Sequence, residues 1–114
     1  MNESELAAVL AALAGETRLR ILRLLQARAL RCSDAAHCDF TEHCCTVSEL
    51  ADALGVTLPT VSHHLKELRR AGLIRMARRG RFVEVSLQAE RLLELSAAFG
   101  ALARHGATPT QGVS

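Results

Sequence analysis

The sequence predicts a mainly α protein of the α+β class, with five helices and one β-hairpin. Its 114 residues fit a single domain, and a content of 49% apolar and 23% charged residues is typical of a globular chain. Aromatic residues make up 3% of the chain, so the core has to be built from Leu, Ala, Val and Ile, which suits helices. Apolar residues recur at helical spacing in five runs, and two strand-like runs precede the last of them.

The first two helical runs meet at Gly15, a residue that favours a helix end. The apolar face of the first run consists of Leu6, Ala7, Leu10, Ala11 and Leu13. The second run begins at Glu16, and its predicted inward face consists of Leu19, Leu22 and Leu25. Arg20 and Arg23 lie on the opposite face of this run, where we expect them to be solvated.

Two short helices joined by a turn are predicted at the centre of the chain. Thr46 and Glu49 have the spacing of a capping box, in which each side chain accepts a hydrogen bond from a backbone N–H at the helix start. Gly55 marks the turn, and the next helix begins at about Thr57 with Pro59 in its first turn. Its inward face is expected to consist of Val61, Leu65 and Leu68. This arrangement is a helix-turn-helix.

Two strand-like runs, IRMAR and RFVEVS, flank Arg79-Gly80 and predict a hairpin. A last amphipathic helix follows, with Leu92, Leu95, Ala98, Phe99 and Leu102 at helical spacing. The complete order predicts a winged helix-turn-helix with a two-stranded wing over residues 1–105. A polar C-terminal tail is expected at residues 106–114.

Positive charge is concentrated in one short segment. Residues 66–81 hold seven Lys and Arg side chains against Glu67, whereas residues 1–65 hold five Arg against eight acidic residues. This concentration is expected of a surface that contacts DNA phosphates. The residues expected to contact double-stranded DNA are Thr57, Thr60, Ser62, His63, Lys66, Arg70, Arg78, Arg79 and Arg81. His64 is expected instead at the edge of the core with a satisfied hydrogen bond.

The candidate sensory site is a loop over residues 30–45 that contains every cysteine of the chain: Cys32, Cys38, Cys44 and Cys45. It ends where the capping box begins, and thiolates near a helix N-terminus are stabilised by the helix dipole. The spacing is not that of a CxxC zinc ribbon. Three or four thiolates select soft or borderline ions such as arsenite, Cd(II), Zn(II) and Hg(II). His37 and His43 are further possible ligands, ranked below the thiols.

Three stretches carry a family resemblance: LAGETRLRILRLL, TVSELADALGVTLPTVSHHLKELRRAGLIR and RRGRFVEVSL. They resemble the ArsR/SmtB family of metal-responsive repressors, and the resemblance covers residues 6 to about 104. It implies a homodimer that pairs through its first and last helices, binds operator DNA and releases it when a metal binds.

The resemblance also implies where sensory sites can lie. One family site uses Asp and His at the start of the last helix and His and Glu further on, but the matching segments here are 89–91 and 102–105 (AER and LARH), so this site is absent. Another family site uses cysteines in the first turn of the third helix. Thr46, Val47 and Ser48 occupy those positions here, and the thiols lie upstream in the loop.

Several other functions are compatible with parts of the sequence. A thiol redox or persulfide sensor on the same scaffold would use two of the cysteines, and inert cysteines in a constitutive repressor are a further alternative. An enzyme is not expected, because the sequence shows no phosphate-binding Gly-rich loop and no arrangement of nucleophile and base. No signal peptide or membrane span is predicted, so we expect a cytoplasmic protein without a membrane partner or small-molecule substrate.

Overall fold

The computed structural model of the chain describes residues 1–31 and 45–106. The helices in this part of the chain are α1 (Glu3–Leu13), α2 (Glu16–Arg31), α3 (Val47–Leu54), α4 (Leu58–Arg70) and α5 (Ala89–Gly106). The strands are β1 (Cys45–Thr46), β2 (Ile74–Arg79) and β3 (Phe82–Leu87), in an antiparallel sheet of order β1-β3-β2. The predicted winged helix-turn-helix is confirmed.

The core lies between α2, α3, α4 and the inner face of the sheet. The predicted inward face of α4, Val61, Leu65 and Leu68, is fully buried. On α2 the prediction is partly wrong: Leu22 and Leu25 are buried, but the third buried position is Ile21 and Leu19 is 48% exposed. The reason is geometric. Residues three apart drift by about 60° around a helix, so Leu19 and Leu25 are too far apart to share one face.

Both predicted N-cap residues occupy the N-cap position of their helices, but only the one of α3 makes a side-chain cap bond. The Thr46 backbone N–H donates to Glu49 Oε1 at 2.8 Å, and the Glu49 N–H donates to Thr46 Oγ1 at 3.1 Å, so the capping box of α3 is complete. Gly55 ends α3 in the left-handed conformation with φ +69°. Thr57 occupies the N-cap position of α4, but its hydroxyl lies 2.9 Å from the Thr60 hydroxyl and makes no cap bond.

The sheet differs from the prediction in two ways. Cys45, expected in a loop, lies in a third strand, where Cys45 and Thr46 pair with Val85 and Glu84 of β3. This strand is too short to show a periodic pattern in the sequence. The tight turn of the hairpin is Gly80-Arg81, one residue later than predicted, because Arg79 pairs with Phe82. Gly80 has φ +60° and Arg81 has no positive φ, as in a type II′ turn with glycine at its first central position.

The first and last helices bury little of their apolar surface within the chain. On α1 the buried residues are Val9 and Ala12, and Leu10 is exposed. α5 has no buried residue, although Leu92 and Leu95 pack partly against the core. It continues to Gly106, one residue beyond the predicted end. None of the helices in the described ranges combines the length and the apolar character needed to cross a membrane.

Candidate nucleic-acid interface

The outward face of α4 carries the polar residues that the sequence predicts as DNA contacts. Because the buried stripe fixes the rotation of the helix about its axis, the opposite side must face solvent. All six predicted residues of this region are exposed: Thr57, Thr60, Ser62, His63, Lys66 and Arg70. Arg70 Nη1 lies 3.3 Å from Glu67 Oε2, an exposed pair that contributes little to stability. The face is therefore polar, positively charged and accessible.

The wing lies next in the chain and packs against α4. α4 ends at Arg70, Gly72 then turns the chain with a φ of +79°, and the buried Leu73 leads directly into β2. The three predicted wing residues, Arg78, Arg79 and Arg81, are exposed. The α4 face and the wing are thus both exposed and basic, and the two elements are neighbours because α4 contacts β2.

The wing arginines have different surroundings, which the sequence does not reveal. Arg79 Nε lies 3.2 Å from Glu84 Oε1, and the Glu84 side chain is only 8% exposed. No donor among the described residues is aligned for a full hydrogen bond to that oxygen, so the contact is an ion pair. β1 covers Glu84 on one side through its pairing with Thr46. The Arg79 guanidinium is therefore paired with a buried carboxylate, and it has to leave this partner to contact a DNA phosphate.

Arg81 is placed at the tip of the wing. Its guanidinium carbon lies 5.2 Å from the centre of the Phe82 ring, within the range of a cation–π contact. Phe82 is itself about half exposed, and it was not among the predicted site residues. The sequence feature that could have indicated Phe82 is the rarity of aromatic residues, because the chain contains three Phe and no Trp or Tyr.

Two adjacent histidines of α4 occupy different environments. His63 is exposed on the outward face, whereas His64 is half-buried and its Nδ1 accepts a hydrogen bond from Arg18 Nε at 3.2 Å. The predicted place of His64 at the core edge with a satisfied hydrogen bond is confirmed. Burial, followed by the charges of Arg18 and His63, lowers the pKa of His64 below its ordinary value of 6.5. Arg18 was missed because it lies 46 residues away in the sequence.

Of the four cysteines in the predicted thiol cluster, only Cys45 lies in the described part of the chain. Cys45 is half-buried and lines a cleft of about 150 Å³ between α2 and α3, together with Leu24 and Leu50. Arg28 and Glu49, 3.1 Å apart, border the same cleft. The other candidate ligands, Cys32, Cys38, Cys44, His37 and His43, lie outside the described residues. Within residues 1–31 and 45–106 no group of three or more His, Cys, Asp or Glu side chains could hold a metal ion.

Comparison with known proteins identifies the class of protein. A family model described as a helix-turn-helix domain matches residues 13–77, and the chain belongs to this family. The matched segment begins just before α2 and ends within β2, so it contains the helix-turn-helix and the start of the wing.

Solved structures give the particular family. An ArsR-like transcriptional regulator from Rhodococcus sp. RHA1 has 25% identity and a TM-score of 0.68, with 90% of this chain and 83% of that chain covered. Reduced HlyU from Vibrio cholerae has 26% identity and a TM-score of 0.61, with 94% of each chain covered. A homodimeric winged helix-turn-helix DNA-binding domain from Mycobacterium bovis, described as a possible ArsR-family regulator, has 25% identity and a TM-score of 0.61, with 97% and 88% covered. The protein is an ArsR-family transcriptional regulator with a DNA-binding helix-turn-helix.

Proposed function

We propose that the protein is a cytoplasmic homodimeric repressor that binds operator DNA and is released when a thiophilic ion binds its cysteines. The observation that carries the proposal is the exposed polar and basic face of α4 beside the basic wing. In a winged helix-turn-helix, a helix with such a face enters the major groove, and a basic wing contacts the adjacent minor groove or its phosphates.

Within this surface the residues divide by chemistry. Ser62 and His63 are short polar side chains near the middle of the α4 face, suited to contact base edges. Lys66 and Arg70 lie one and two turns further along and suit phosphates, as do the wing arginines. Loss of a phosphate contact should weaken binding to every DNA sequence, whereas loss of a base contact should reduce discrimination between sequences.

The homodimer is supported by the unburied apolar surface of α1 and α5. α5 has 18 residues and buries none of them within its own chain, and Phe99 and Leu102 are 43% and 62% exposed. An exposed apolar face on a helix of this length marks an interaction site. A second copy supplies the same face by two-fold symmetry, and the Mycobacterium bovis relative is described as homodimeric.

The inducing ion is proposed from the chemistry of the donors and the position of Cys45. Cys32, Cys38, Cys44 and Cys45 form a thiolate set that fits arsenite, Cd(II), Zn(II) or Hg(II). Cys45 lies in β1, which pairs with β3 of the wing and leads into the capping box of α3. Since α3 packs against α4, a change at β1 can reach both parts of the DNA surface.

The test of this proposal is DNA release by ions. A duplex selected from a random library by the wild-type protein would be titrated with and without arsenite, Cd(II), Zn(II) and Hg(II). We expect one of these ions to weaken binding of the wild type, and we expect the variant C44S/C45S to bind DNA normally but to resist release. By linkage the DNA must weaken ion binding by the same factor, corresponding to about 1–3 kcal/mol.

A control variant, H105Q, removes a nitrogen donor near the end of α5 and should be released like the wild type. Release of C44S/C45S by the same ion would place the inducing site elsewhere.

The second candidate is a thiol redox or persulfide sensor on the same scaffold. It is favoured by two neighbouring cysteines in the sequence, Cys44 and Cys45, the second of which lies in β1, and by the Vibrio cholerae relative being described as reduced HlyU. In this case an oxidant would release the wild type from DNA, and none of the four ions would do so. Thiol counts before and after treatment would distinguish the two candidates.

A further inference from the structure

Arg18, near the start of α2, contacts two other helices at the same time. Its Nη1 donates to the backbone carbonyl oxygens of Ala12 at 3.3 Å and Ala11 at 3.5 Å, in the last turns of α1. Its Nε donates to Nδ1 of His64 on α4 at 3.2 Å. One guanidinium group therefore connects the C-terminal end of α1 to α4, which is the recognition helix of the proposed DNA complex.

The α1 end of this connection has a clear electrostatic basis. The last carbonyl groups of a helix lack partners within the helix and carry partial negative charge, which a cation stabilises. α1 has no basic residue in its own last turn. Arg18 supplies the positive charge from α2, and the rigid planar fork of its guanidinium fixes the direction of the Nε–H bond toward α4.

The contact of Arg18 with α4 lies where a shift of the helix would change the proposed DNA-binding surface. His64 lies between the buried Val61 and Leu65 on one side and the exposed His63 on the other. A rotation of α4 that lengthens the bond at His64 therefore also moves His63 and the rest of the outward face.

Apolar packing between α1 and α4 leaves room for such a shift. A cleft of about 280 Å³ separates them, and its lining consists of Ala8, Ala11, Ala12, Ala71, Arg18, Glu67 and Arg70. Alanines line most of the α1 wall, so the direct packing of α1 on α4 at this cleft is sparse, while the buried stripe of α4 holds the helix against the rest of the core. The polar connection through Arg18 is then the specific link between the two helices at this point.

We propose that Arg18 and His64 are positioning residues that fix the recognition helix relative to α1, and that protonation of His64 breaks this link and weakens DNA binding. The inference rests on the DNA binding proposed above. His64 Nδ1 accepts a hydrogen bond from the Arg18 Nε–H, so this nitrogen must be unprotonated for the bond to exist. A protonated ring would also place a second positive charge beside Arg18.

Burial of His64, and after it the charges around the ring, determine the pH at which its protonation breaks the link. Arg18 faces it from α2, His63 lies beside it on α4 with ring centres 5.6 Å apart, and Glu67 and Arg70 line the adjoining cleft. α1 contributes the backbone carbonyls that hold Arg18. The lowered pKa of His64 means that the folded protein favours the neutral ring. The link is therefore complete above pH 6.5 and is lost as the pH falls through the lowered value.

The experiment compares DNA binding at about pH 7.5 and about pH 5.5 at constant ionic strength. His63 is itself a proposed DNA contact and lies beside His64, so H63Q serves as the background for all proteins. We expect H63Q to lose affinity for the selected duplex at the lower pH, by less than about tenfold, because a His64 pKa below 6.5 leaves part of the rings neutral there. We expect H63Q/H64Q to lose much less, because the Gln amide oxygen can accept from Arg18 without titrating. H63Q/H64L should bind weakly at both pH values.

A second measurement does not depend on DNA. The pKa of His64, followed by NMR of its ring in the full chain, should rise when Arg18 is replaced in R18M, because a positive neighbour is removed. Equal pH dependence of H63Q and H63Q/H64Q, or an unchanged His64 pKa in R18M, would overturn the inference. A wild-type protein that binds no duplex at any pH would instead refute the proposed function, and the NMR measurement would still decide whether Arg18 controls His64.

Discussion

α4 and α5 are both amphipathic helices in the sequence, but only α4 buries its apolar face within its own chain. α4 buries Val61, Leu65 and Leu68 entirely within its own chain, and its opposite face is polar and basic. α5 is longer and buries no residue within its own chain. An apolar stripe therefore predicts that a helix is covered, but not by what. For α4 the cover is the core of the same chain, and for α5 we propose that it is a second copy.

The largest effect is expected from a change in the buried face of α4. L65A should lower the free energy of unfolding by about 2–5 kcal/mol, because Leu65 is fully buried and its truncation leaves a cavity. Thermal or denaturant unfolding would measure it. The matched control is L58A on the same helix, where the leucine is half exposed and the loss should stay within about 1 kcal/mol. Equal losses would mean that the buried side of α4 is assigned wrongly.

The next effect concerns the apolar face of α5. F99D should convert the dimer into monomer or unfolded chain, because a carboxylate cannot be buried unpaired in an apolar interface. Sedimentation velocity at micromolar concentration would measure it. A97D is the control, since Ala97 is exposed on the opposite side of the same helix. A well-folded wild-type monomer would contradict the proposal that a second copy covers the apolar face of α5.

A smaller effect is expected from the outward face of α4. K66A should weaken binding to all DNA sequences, and the logarithmic salt dependence should become shallower by about one unit, the value for one lost phosphate contact. Arg20 provides the control, because it is an exposed basic residue on the far side of α2. An R20A variant with the same change as K66A would show that net charge, and not the α4 face, determines binding.

The wing should give the smallest effects, and they should differ between its arginines. R81A should reduce the salt dependence by about one unit, since Arg81 lies at the tip over Phe82. R79A should change it less, because Arg79 is partly neutralised by the buried Glu84 and has to leave that carboxylate to reach a phosphate. A larger change in R79A than in R81A would reverse this assignment.

Much of the fold follows from short-range patterns, and these were predictable. The stripe of α4, the capping box of α3 and the order of the elements depend on residues at most a few turns apart. All nine predicted DNA contacts lie on exposed positions for the same reason. Leu19 shows the limit of such patterns, because three leucines at a spacing of three do not share one helix face.

Contacts between distant residues could not be predicted. The bond from Arg18 to His64 and the ion pair of Arg79 with a buried Glu84 depend on how helices and strands pack. β1 is two residues long and is formed only because β3 has an edge to pair with. The sequence indicates which residues carry chemistry, but their partners require the tertiary structure.

The most direct test of the account is the composition and salt dependence of the complex with DNA. Sedimentation of the wild-type protein with the selected duplex should give two protein chains for each duplex, because a dimer places two α4 helices in successive major grooves. The affinity should fall steeply with salt, as expected from several phosphate contacts. A complex with one chain, or binding that does not depend on salt, would contradict the proposed division of roles between α4 and α5.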